Sequence, residues 1–175
     1  MKYRVEQTLL WLFVILAALV IGGGLYELRV VLPLWAHAPP ESVWHFAAER
    51  VNNPLDTPNS GMRLWIFLTP AHLLVSIATL IAAWKTRAEH RRWVIVSTAI
   101  FIGLHLSALF YFVPAIDKLF MSRQLNLDPA EVASRARWWV NLTWGRFVIG
   151  LIGYVAGIKA MKTAPRGMEP VNRES

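Results

Sequence analysis

Four apolar segments, residues 8–28, 64–84, 93–114 and 138–158, make up nearly half of the 175-residue chain. Each is close to the roughly 20 residues a helix needs to cross the hydrocarbon core of a bilayer. With 55% hydrophobic residues and nine tryptophans, and a mean hydropathy of +0.40, the chain is too apolar for a water-soluble domain of this size. The segments predict an all-α, integral membrane four-helix bundle spanning residues 1–164, with residues 165–175 as a disordered tail. The chain has no cysteine, which excludes disulfides, thiolate nucleophiles, iron–sulfur clusters and thioether-linked haem.

The net charge of +7 is an orientation signal in this arrangement. Lys2, Arg4, Lys85, Arg87, Arg91, Arg92, Lys159, Lys162, Arg166 and Arg173 all fall on one side of a four-span topology, with only Glu6, Glu89, Glu169 and Glu174 against them. Lys and Arg collect in cytoplasmic loops, so both termini are expected in the cytoplasm of a multi-pass inner-membrane protein. The same basic surface suits anionic lipid headgroups rather than nucleic acid. Lys2 and Arg4 precede an apolar run that continues past Leu28 without a small-residue cleavage region, which reads as a retained span and not a secretory signal.

The connections carry their own signals. Pro39 and Pro40 can open a short helix at Glu41, with Val43, Trp44, Phe46 and Ala47 placed to lie on the headgroup region, and "NNPLDTPNSG" then breaks it. Lys85 to Arg92 reads as a short basic loop in which His90 has no special role. Asp128, Pro129 and Glu131 fit the N-cap, first position and third position of a helix that begins about two turns outside the membrane. His37 and His45 are expected on the surface. Trp35, Trp44, Trp65, Trp138, Trp139 and Trp144 gather at the outer boundary, and Trp84 and Trp93 mark the inner one, as an aromatic belt does.

At about 1.5 Å of rise per residue, all four spans contribute a polar group to the outer half of the bundle: Glu27, His72, His105, and Asn141 with Arg146. Thr69, His72, Ser76 and Thr79 recur at helical spacing, and so do Thr143, Arg146, Gly150, Gly153 and Gly157. The glycines serve close helix packing, which predicts a bundle tight in its cytoplasmic half and open in its outer half. A charge inside hydrocarbon costs roughly 2.5 to 3.5 kcal/mol at a helix centre and normally finds a partner, so Glu27 is expected to pair with Arg146. His72 and His105 at matched depth are candidate ligands for a metal or a b-type haem, with Glu27 as a possible third ligand. Catalytic triads, phosphate-cradling glycine loops and zinc-ligand spacings are absent from the sequence.

"WVNLTWGRFVIGLIGYV" from Trp139, "FVPAIDKLF" from Phe112, and "GLYELRVVLPLW" from Gly24 resemble the anthrone oxygenase-like family of small four-span membrane proteins. Pro114 and Leu119 fit its third-span motif, with Ile116 and Asp117 where an asparagine is the rule. Trp139 and Arg146 fit its fourth-span motif, with Thr143 in the middle position. The resemblance implies a four-helix fold and, in the characterised branch, oxygenation of reduced polycyclic phenols to quinones without an evident cofactor. The expected function is oxidation or binding of a small aromatic or quinone-like molecule. In that reading Arg146 stabilises an anion, His72 or Glu27 accepts a proton, and Trp139, Trp144, Asn141 and Tyr111 hold the substrate. The alternatives are a haem- or quinone-binding electron-transfer subunit using His72 and His105, and a non-catalytic protein that binds a lipid or a partner.

Overall fold

The computed structural model describes residues 2–51, 62–86 and 88–164. Among these residues there are seven α-helices, two π-helical segments and no strand. Helix α1 (Lys2–Tyr26), a π segment (Glu27–Val31) and α2 (Leu32–Ala36) form one rod, followed by α3 (Glu41–Val51) and α4 (Met62–Ala83). A second rod is built the same way from α5 (Ala88–Ser107), a π segment (Ala108–Phe112) and α6 (Val113–Phe120), and α7 (Pro129–Thr163) completes the chain. The stretch "NNPLDTPNSG" and the tail after Ala164 lie outside the described residues.

Proline explains the shared construction of the two rods. Pro33 and Pro114 have no N–H to donate, and in a regular helix each ring would meet the carbonyl four residues back. In both rods the residue just before the proline bonds five residues back instead, Leu32 N–H to Glu27 O and Val113 N–H to Ala108 O. The wider turn lets the helix continue through the proline, so the first span does not end where its glycine and proline pattern suggests. Among the described residues four helices are long and apolar enough to cross a membrane: Arg4–Ala36, Arg63–Ala83, Ala88–Phe120 and Pro129–Thr163.

The packing order is a ring: α1 lies against α4 and α7, and α5 lies against α4 and α7. Every neighbour in this ring is antiparallel. Both described ends of the chain, at Lys2 and Thr163, fall at one end of the bundle, called proximal below. At 1.5 Å per residue the rods of 35 and 33 residues and the 35-residue α7 run about 50 Å, whereas the 22 residues of α4 reach only about 33 Å. Beyond the end of α4 its corner is taken by α3, which packs against α2 and α6 while these pack against α7.

The bundle therefore has two storeys, each with a core. The proximal core joins Leu10, Phe13, Val14, Ala17, Ala83, Val94, Phe101 and Ala160. The distal core joins Val31, Leu32, Trp35, Val43, Phe46, Leu119, Val132 and Ala136. This corrects three expectations. Val43, Phe46 and Ala47 do not lie on headgroups but are buried under α3, because three rods longer than the span need a fourth face. Trp35 is 1% exposed and fills the distal core rather than an aromatic belt. The bundle is also closed at its distal end, not open throughout its outer half.

Other expectations appear in the structure as read. Asp128 caps α7, its Oδ1 accepting from the Ala130 and Glu131 N–H groups at 2.7 and 3.4 Å. His37 and His45 are exposed. The glycine stripe of α7 is a packing device: a Cβ on Gly153 would stand 2.8 Å from Ile100 Cγ2, and one on Gly157 would stand 3.1 Å from Ser97 Oγ. Ser97 Oγ meanwhile donates to Gly153 O across the helix pair at 2.6 Å. Gly22 faces open space. Gly153→Leu is expected to destabilise the detergent-purified protein by about 1 to 3 kcal/mol or more through overpacking, and Gly22→Leu to have little effect, in matched thermal unfolding curves.

Candidate functional site

The two storeys are sealed differently, and the site lies where they meet. Gly23 on the first rod stands against Leu64 and Trp65 of α4, Gly24 against Phe147, and Gly150 against Ile21 and Leu104. These contacts put the distal end of α4, the two π segments and residues 143–147 of α7 in one layer. Residues of this layer from every wall are half-buried, among them Gly24, Glu27, Trp65, Thr69, Ala108, Thr143 and Arg146. The cores on either side of it are buried.

Arg146 occupies this layer. Its Nη2 donates to Leu104 O at 3.0 Å, and its guanidinium carbon lies 4.0 Å from the centroid of the Phe112 ring. Its Nε is buried without a hydrogen-bond partner. The guanidinium thus turns toward the second rod and not toward Glu27, which stands half-buried at the start of the first π segment. Among the described residues no carboxylate oxygen lies within ion-pair distance of Arg146. Phe112 belongs to the second π segment, and its own carbonyl accepts from Trp139 Nε1 at 3.3 Å. Trp139 packs edge to face on Phe112 and Trp35, with centroids at 5.7 and 5.4 Å.

One step proximal lies a histidine dyad. Side chains lean toward the N-terminus of their helix, so His105 of α5 leans distally to proximally while His72 of the antiparallel α4 leans the other way. They meet with His105 Nε2 3.0 Å from His72 Nδ1, at 3% and 0% exposure. One of these nitrogens must carry the hydrogen and the other a lone pair. His72 Nε2 is left buried without a partner, its ring held between Phe13 and Phe101 at 5.1 and 4.7 Å. His105 follows Leu104, whose carbonyl accepts from Arg146 Nη2. Below the dyad, Ser76 and Thr79 continue the buried stripe, donating to His72 O and Val75 O at 2.6 and 2.7 Å.

A metal held by both imidazoles sits about 2 Å from each nitrogen, which puts trans ligand nitrogens about 4 Å apart. The facing nitrogens here are 3.0 Å apart and already share a hydrogen. Among the described residues no cluster of three histidine, aspartate or glutamate side chains forms around them, so Glu27 does not join the pair. The dyad as it stands is a hydrogen-bonded unit, its facing nitrogens closer together than the trans ligands of a bis-histidine haem.

The remaining predicted contacts separate from this interior group. Asn141 and Trp144 are exposed on the outer face of α7. Tyr111 is also exposed and accepts from Trp138 Nε1 at 3.2 Å. Phe112, which both carries Arg146 and receives Trp139, has no polar atom in its side chain to draw notice. Its signal in the sequence is Pro114 two residues later, which widens the turn that presents it. No family model, curated protein or solved structure matches the chain.

The dyad makes a measurable prediction. Removing one ring strands its buried partner at about 1 to 3 kcal/mol, so His72→Phe and His105→Phe should each destabilise the protein. The double variant should cost less than their sum by about 1 kcal/mol, as read from a double-mutant cycle of unfolding in detergent.

Proposed function

We propose that the protein is a multi-pass protein of the inner membrane, with both termini cytoplasmic, that binds a small aromatic molecule bearing an ionisable or carbonyl oxygen and oxidises it. The observation that carries this reading is Arg146: a guanidinium in the apolar interior, with Nε unfilled and with no carboxylate against it among the described residues. A buried cation without a counter-charge is costly, and a phenolate, enolate or quinone oxygen in the half-buried layer offsets that cost. Phe112 and Trp139 offer ring faces and edges beside it.

The roles follow from position. Arg146 stabilises negative charge as it develops on the substrate oxygen. His105, next to the Leu104 carbonyl that holds Arg146, accepts the proton, and His72 behind it keeps its tautomer and orientation. For an anthrone, the substrate class the family resemblance implies, the balance is one anthrone and one dioxygen giving one anthraquinone and one water. The enolate formed by proton loss is the species that reacts with oxygen. With the layer sealed by the distal core above and the proximal core below, the ligand arrives sideways from the hydrocarbon, which selects a lipid-soluble molecule.

Oxygen consumption by the purified protein with anthrone is expected above the spontaneous rate. Arg146→Gln should lower it by about 10²-fold, the lower end of what loss of one anion-stabilising donor costs, and His105→Gln should also lower it. A rate equal to the protein-free control would reject oxidation. Quenching of tryptophan fluorescence by anthraquinone, lost in Arg146→Gln, would then decide whether binding alone remains.

A further inference from the structure

The proximal end holds a second buried ionisable group, separate from the ligand layer and resting on none of the reading above. Glu6 in the second turn of α1 is 7% exposed, and His90 in the first turn of α5 is 1% exposed. The expectation that His90 lies in a basic loop is overturned, because α5 begins at Ala88 and turns the ring inward. His90 Nδ1 lies 3.0 Å from Ala160 O of α7, and His90 Nε2 lies 2.9 Å from Glu6 Oε1. Three helices thus meet at one imidazole.

The chemistry of these contacts fixes a proton count. A carbonyl oxygen can only accept, so Nδ1 carries a hydrogen and donates it to Ala160 O. A neutral ring would leave the electron-rich Nε2 2.9 Å from a carboxylate oxygen, two negatively polarised atoms without a hydrogen to separate them. One added proton relieves that repulsion, either on the imidazole, as an imidazolium beside a carboxylate, or on the carboxyl group. Both forms hold one proton more than a carboxylate with a neutral imidazole. The carboxylate lies off the ideal direction of the Nε2–H bond, since neither atom completes a directional hydrogen bond, so the attraction is chiefly between charges.

No other group stands in for that proton among the described residues. On α1, Arg4 is exposed; on α5, Glu89 and Arg92 are exposed, and Arg91 donates to Trp84 O. On α7, Lys162 is exposed, and Lys159 lies 4.5 Å from the Trp93 ring centroid. Lys85, after α4, is exposed too. None brings a nitrogen within ion-pair distance of Glu6, and the side chains packed below the pair are the apolar Leu10, Ala83 and Val94 of the proximal core.

We propose that Glu6 and His90 form a proton-binding site at the proximal end, which clasps α1, α5 and α7 together while one proton is held and loosens them when it leaves. Full-length protein labelled with ¹⁵N-histidine, in detergent micelles, gives the first test. At neutral pH the His90 signals should report a proton at Nε2 as well as at Nδ1, or infrared difference spectra against Glu6→Gln should show a protonated carboxyl group. A neutral Nδ1–H ring facing an ionised Glu6 in the wild-type protein would overturn the site, and this reading needs no variant to fold. The second test is thermal stability against pH. As the proton leaves with rising pH the wild-type midpoint should fall by several degrees, and Glu6→Gln and His90→Gln should flatten that slope. Equal slopes in wild type and variants would overturn the clasp.

Discussion

A 22-residue helix cannot accompany rods of 35 and 33 residues and a helix of 35 along their whole length. The rest of the architecture follows from that mismatch. Where α4 stops, three apolar faces would stand open at one corner, and the chain fills the corner with α3, whose Val43, Phe46 and Ala47 complete the distal core. The two storeys need not share a continuous core, because two different helices supply the fourth wall. The half-buried layer with Arg146 is the seam between them. Both π segments begin at that seam, and the wide turn of the second one sets Phe112 under the guanidinium.

In hydrocarbon the backbone satisfies itself only inside helices, and a polar side chain must find its partner within the bundle. Most of the buried polar groups do so economically. Ser76, Thr79 and Thr98 bond carbonyls in their own helices, Ser97 bonds across to Gly153, and His72 and His105 bond each other. The groups left with an unfilled atom are therefore informative: Arg146 Nε and His72 Nε2 on either side of His105, and the Glu6 and His90 pair at the proximal end. The ionisable groups of the interior fall into two separate stations, divided by the dry Phe13 and Phe101 packing.

What was legible in the sequence was what periodicity and local chemistry encode. The four apolar segments, the stripe from Thr69 to Thr79, the glycine face of α7 and the Asp128 cap all depend on residues within a few turns of one another. What was not legible depended on register between helices. Nothing within α5 says that its first turn faces inward, so His90 read as a loop residue until Glu6 and Ala160 converged on it. Trp35 looked like a belt residue because a boundary tryptophan and a core tryptophan share the same local sequence. The expected pairing of Glu27 with Arg146 rests on matched depth, scarcity of charge and the glycines before Glu27, none of which sets the direction of the guanidinium. It failed because the guanidinium found a carbonyl and an aromatic face on the second rod at closer range.

The choice of arginine at position 146 follows from the same geometry. An ammonium group is strongly hydrated and needs several oxygens close around it, whereas position 146 faces the Phe112 ring and a single carbonyl. A guanidinium is planar and weakly hydrated, and can lay its face on an aromatic ring while its edge donates in fixed directions. With one edge position committed to Leu104 O and the face on Phe112, the unfilled Nε is held in place before any ligand arrives. A lysine here would satisfy itself by bending toward the nearest carbonyl, and the seam would lose the preset donor that the Arg146 Nε provides.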